Sequence, residues 1–90
     1  RPPMNTKFKI GDRVCNKNSA LYGNVPIMEI TGIFRDDNGK FSYRTNEGYF
    51  FGEEDLLDET SALLVAATYH EGRAEELRAT LKERREANDY

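Results

Sequence analysis

The segment Phe8-Lys9-Ile10-Gly11-Asp12-Arg13-Val14 constrains this chain more than any other. Phe8 and Ile10 alternate with Lys7 and Lys9, the period of a strand with one buried face. Gly11 tolerates a positive φ and Asp12 can bond nearby backbone, so the pair makes a corner, after which Val14 returns to the apolar side. The residues that follow predict more short strands joined by turns. Ile27–Phe34 places Met28 and Ile30 on one face, with Gly32 marking a bulge or bend. Asp36-Asp37-Asn38-Gly39 is the strongest turn, because Asn-Gly favours the positive φ angles of tight hairpins. Phe41 and Tyr43 then oppose Lys40, Ser42 and Arg44 across a strand, Asn46-Glu47-Gly48 turns again, and Tyr49-Phe50-Phe51 forms a short strand. Gly52–Leu56 suits one helical turn with Leu56 closing the end of the sheet, and Leu57–Glu59 a last strand returning to the first. Asn16–Pro26 reads as a long polar loop. In it Leu21 folds back onto the core, and Tyr22 is either a contact residue or a packing one.

From Thr60 the grammar changes. The segment to Asn88 has no proline and is rich in Ala, Leu, Glu and Arg, which predicts a helix started by Asp58 or Thr60. Steps of four and three give Leu63, Ala67, His70, Ala74, Leu77 and Leu81, with Arg84 closing the series, so one face stays apolar. Lys82/Glu86 and Arg85/Asp89 are spaced for ion pairs on the opposite side. Gly72 is the place for a kink. Leu63–Ala67 has an alternative reading as a strand, which Val65 favours and the surrounding alanines oppose. A helix of this length extends about 42 Å, against about 20–25 Å for the body before it. Leu63 and its neighbours are expected to pack on that body, and the distal half to overhang it. Leu77 and Leu81 are then left for a second copy or another protein.

Charge is unevenly placed around the net −3. Residues 1–45 hold eight Lys/Arg and four Asp/Glu, residues 46–59 six acids and no base, and residues 60–90 six acids and five bases. This is not the strongly basic balance of a nucleic-acid binder. The single cysteine, Cys15, excludes an intramolecular disulfide and favours a reducing compartment, hence the cytoplasm. No run approaches a membrane span. Residues 1–6 are expected to be disordered, with Arg1–Pro3 a remnant of an expression tag and Met4 the natural start; residues 7–59 form the body and 60–90 the helix.

The order Phe-x-Ile-Gly-Asp-x-Val, Pro-x-Met-x-Ile-x-Gly-Ile, a Tyr/Phe strand and Glu-Glu-Asp-Leu-Leu resembles the small SH3-like barrels, in particular KOW-type and YodC-like barrels of bacterial and phage proteins. The resemblance covers residues 7–59. It implies a five-stranded SH3-like β-barrel for residues 7–59, which the helix read from the composition and periodicity of the tail completes as a barrel followed by a long C-terminal α-helix. It also implies a small phage or bacterial accessory protein that binds host or phage machinery. In such barrels, aromatics of the long first loop and the middle strands line the ligand groove, a placement that Tyr22 and Tyr49 fit.

Catalytic constellations are missing from the sequence. His70 is the only histidine and sits on the helix seam, Cys15 has no cue for activation, and one Cys with one His cannot make a usual zinc site. No cofactor is expected. The aromatics exceed what a small core needs, and Tyr offers a large contact area for little entropy. The function expected is therefore a non-enzymatic protein-binding module, with Tyr22, Tyr49, Phe50, Glu53, Glu54 and Asp55 meeting a protein partner. The helix stripe Leu63, Ala67, His70, Ala74, Leu77 and Leu81 would supply a second contact or a homodimer. The alternative is a nucleic-acid- or ribosome-associated barrel using Lys7, Lys9, Arg13, Lys17, Lys40 and Arg44, although the chain lacks the dense basic face of KOW-type barrels.

Overall fold

A computed structural model describes residues 5–88. The expectations for Arg1–Met4, and the Arg85/Asp89 pair, fall outside the described residues. Asn5 and Thr6 carry no regular structure. The elements are β1 (Arg13–Asn16), α1 (Lys17–Leu21), β2 (Met28–Arg35), β3 (Phe41–Thr45), β4 (Phe50–Gly52), a 3-10 turn (Glu53–Asp55), β5 (Leu56–Asp58) and α2 (Glu59–Asn88). The five strands form one antiparallel sheet in the order β4-β3-β2-β1-β5. The expected strands-then-long-helix architecture is present, but the sheet is open: β4 and β5 are its two edges, and no ladder joins them.

Turn chemistry accounts for most of the connections. Gly39 (φ 82°) and Gly48 (φ 86°) supply the positive φ in the two hairpins. In the first, the Asp36 Oδ1 accepts from the backbone N–H groups of Asn38 (2.8 Å) and Lys40 (2.9 Å). The β2–β3 register slips between Ile30 and Gly32, so the bulge falls where glycine marks it.

β1 shows how the sheet serves two layers. Successive side chains of a strand point to opposite faces. Val14 faces a core of Phe8, Met28, Ile30, Tyr43 and Leu56, while Cys15 faces a second one built from Ala20 of α1 and Ala62 of α2. Burial raises the pKa of the Cys15 thiol, and its Sγ lies 3.4 Å from the Asn16 carbonyl oxygen.

Three local expectations are overturned. Lys7–Ile10 is not a strand, and Ile10 is 60% exposed rather than sharing the core with Phe8. Side chains, not a ladder, hold this segment: Lys7 N–H donates to Glu53 Oε1 (2.9 Å), Phe8 N–H to the Tyr43 hydroxyl (3.4 Å) and Lys9 N–H to Asp12 Oδ2 (2.9 Å). The polar loop after β1 begins with a helix, α1, because the Asn16 side chain caps it by accepting from Ser19 N–H at 3.2 Å. Leu21 does not enter the sheet core but stays about half exposed beside Val65, Thr68 and Tyr69 of α2.

The helix packs on a different stripe from the one its leucines suggest. Ala62 and Ala66 are its buried residues, with Val65 partly buried beside Ala62, whereas Leu63 is 55% exposed and Ala67 is also exposed. α2 lies against α1, β1 and β5, and small side chains allow that close approach. His70 Nε2 sits 2.8 Å from the Gly23 carbonyl oxygen, tying α2 to the loop after α1. Beyond it the helix continues unbroken through Gly72, every described residue exposed except the half-buried Ala74. The molecule therefore measures 74 × 23 × 18 Å with a radius of gyration of 19.2 Å, where a compact 90-residue chain would have about 12 Å.

Asp58 starts α2. Its carboxylate accepts from Ser61 N–H and Ser61 Oγ–H, both at 2.8 Å. These two bonds hold the Asp58 carboxyl below its ordinary pKa. A carboxyl depressed in the folded state adds stability above its unfolded pKa of about 3.9 and loses it as pH falls through the folded value. Asp58→Ala is expected to lower stability by about 1 kcal/mol in urea titrations at neutral pH. Asp58→Asn keeps the cap and should flatten the loss of stability expected of the wild type below about pH 4.

Candidate functional site

A groove of about 370 Å³ beside the β3–β4 turn is lined by Asn16, Ser19, Pro26, Met28, Glu47, Tyr49 and Phe51. One wall comes from α1 and the chain entering β2, the other from the β3–β4 turn and β4. The groove exists because that turn is tied across the sheet. Asn46 N–H donates to the Glu29 carbonyl (2.9 Å), and the Asn46 Oδ1 accepts from Glu29 N–H (3.0 Å). Thr45 N–H donates to the Tyr49 carbonyl at 3.0 Å, closing the turn beneath Tyr49.

Tyr49 stands out of this frame, 62% exposed, with its ring 6.4 Å from that of Phe51 in an edge-on arrangement. Phe51 is anchored on the sheet core, so Tyr49 leans on a fixed support. Pro26, Met28, Tyr49 and Phe51 make an apolar floor. Asn16, Ser19 and Glu47 add polar groups, and the Glu47 carboxylate is the one formal charge among the lining residues. Such a mixture, a largely apolar concavity with few polar groups, is typical of binding sites.

The remaining residues singled out from the sequence divide among several surfaces. Phe50, 60% exposed, leaves the groove and meets Phe34 on the outer face of the sheet, ring centroids 5.5 Å apart. Of the three acids in the 3-10 turn, Glu53 accepts from Lys7 N–H and thereby fixes the N-terminal segment. The Glu54 carboxylate folds over Gly52, and Asp55 is exposed. Tyr22 joins α2 instead, 6.4 Å from Tyr69 in an edge-on pair. Leu63, Ala67, His70, Ala74, Leu77 and Leu81 lie along α2 as described. The six basic residues sit on separate elements: Lys7 and Lys9 before β1, Arg13 in β1, Lys17 in α1, Lys40 at the first hairpin and Arg44 in β3. Arg13 is occupied by Glu59, with two hydrogen bonds of 3.1 and 3.0 Å that hold the Glu59 carboxyl below its ordinary pKa.

Sequence reasoning missed Pro26, Met28 and Phe51 as groove walls and Asn46 as the clamp. Asn46 was visible only as a turn former, since its partner Glu29 lies in another strand. Among the described residues, no three His, Cys, Asp or Glu side chains come together to hold a metal ion, and no helix is long and apolar enough to cross a membrane. No family model matches the chain, and neither a curated protein nor a solved structure matches it significantly.

Proposed function

We propose that this chain is a non-enzymatic protein-binding module and that the groove beside Tyr49 takes an extended segment of a partner protein. The observation that carries the reading is the pairing of an exposed tyrosine on a rigid aromatic support with a proline- and methionine-lined floor. Tyr in such a position contributes large contact area at low entropic cost. The Glu47 carboxylate, the one charge in the groove wall, selects a partner segment that combines apolar and basic residues. The motif resemblance of residues 7–59 to small bacterial and phage proteins, read from the sequence alone, is the ground for a partner in host or phage machinery and a cytoplasmic setting.

The test is a selection of short peptides from a random display library against the folded chain, followed by affinity measurement. Peptides with apolar residues next to Lys or Arg are expected. Tyr49→Ala should weaken them at least tenfold, a loss of about 1.4 kcal/mol or more, and Glu47→Lys should reverse the charge preference. If no peptide binds, or if Tyr49→Ala leaves affinity unchanged, the groove reading fails.

A further inference from the structure

We infer that the overhanging half of α2 pairs antiparallel with the same segment of a second copy, Leu77 of one chain facing Leu81 of the other. The inference is independent of the Tyr49 groove.

α2 uses Ala62, Val65 and Ala66 to dock on its own body, which leaves a separate stripe of Ala74, Leu77 and Leu81 on the overhang. Leu77 is 53% exposed and Leu81 48% exposed, and Ala74 between His70 and Leu77 leaves room for a neighbouring backbone. The occupant is indicated by charge. Residues 71–77 carry three acids (Glu71, Glu75, Glu76) and one base (Arg73), net −2, while residues 78–88 carry four bases (Arg78, Lys82, Arg84, Arg85) and two acids (Glu83, Glu86), net +2. An antiparallel copy lays each negative segment along a positive one and opposes the two helix dipoles. A parallel copy would set like against like, stack Arg84 on its equivalent and crowd two sheet bodies at one end. In the antiparallel pair the bodies sit at opposite ends of a shared rod.

Two leucines per chain bury little area, so the dimer is a weak one, populated at high concentration and weakened by salt. The experiment is sedimentation equilibrium of the full chain at millimolar concentration, together with spin-label distances from Glu86→Cys; buried Cys15 remains unlabelled in the folded protein. The expected result is twice the chain mass and a label separation of about 30 Å, set by fourteen residues of rise, the spacing between helices and the outward placement of residue 86 opposite the leucine stripe. Leu77→Glu with Leu81→Glu should return the chain to a monomer with its helical circular dichroism intact, and Tyr49→Ala should remain dimeric. A monomeric wild type, a separation near 20 Å as two outward labels at one level of a parallel pair require, or a dimer that survives the double substitution would each overturn the inference.

Discussion

Tyr43→Ala is expected to remove most of the stability of the sheet. Tyr43 is fully buried and central to the core of Phe8, Val14, Met28, Ile30 and Leu56. Its ring meets Phe8 edge-on at 5.3 Å, and its hydroxyl accepts from Phe8 N–H. Truncating a buried aromatic costs about 3–5 kcal/mol, and a domain this small has only a few kcal/mol to lose. Tyr43→Phe separates packing from hydrogen bonding. The 3.4 Å contact is long, so its loss should cost about 1 kcal/mol, the low end for a buried donor left without a partner. Urea unfolding followed by tyrosine fluorescence and far-ultraviolet dichroism distinguishes the two. Equal losses in the two variants would mean that the hydroxyl, not the ring, organises the core.

The second large effect concerns how α2 is attached. Ala62→Glu should detach the proximal helix from α1 and β1, because Ala62 is fully buried in an apolar cluster with Cys15 and Ala20. The expected cost is at least about 3 kcal/mol. Leu63→Glu, one residue on, should change stability by less than about 1 kcal/mol, since Leu63 is 55% exposed. Hydrogen exchange of the Cys15 and Ala20 amides reads the difference directly: fast in Ala62→Glu, unchanged in Leu63→Glu. The opposite pattern would restore the leucine stripe as the docking face.

That contrast shows what the sequence could and could not reveal. Local turn chemistry was legible: Asn38-Gly39, Gly48, the bulge at Gly32, the 3-10 turn ahead of buried Leu56 and the Asp58 cap all follow from residues acting within a few positions of themselves. The docking face of α2 was not, because hydrophobicity ranks leucine above alanine, whereas a close helix approach to β1 and α1 selects the smaller side chain. The alternation of Phe8 and Ile10 imitated a strand, but the donors of that segment go to Tyr43, Glu53 and Asp12, two of them distant in sequence. α1 was hidden in an Asn- and Ser-rich stretch that composition assigns to a loop, although Asn16 three residues before Ser19 was the available capping signal. At the groove, Tyr49 could be singled out as a surplus aromatic. Its companions could not, since Pro26 and Met28 become neighbours of Tyr49 only through the Asn46–Glu29 clamp.

Binding of a partner segment in the Tyr49 groove leaves a direct trace in the spectrum of the free chain. Amide chemical-shift mapping during titration with a peptide obtained by display tests it most directly. Shifts are expected to concentrate at Asn16, Ser19, Met28, Glu47, Tyr49 and Phe51 and to be abolished by Tyr49→Ala. Shifts centred instead on Phe34, Arg44 and Phe50 of the outer sheet face, or on the distal half of α2, with the groove silent, would contradict it.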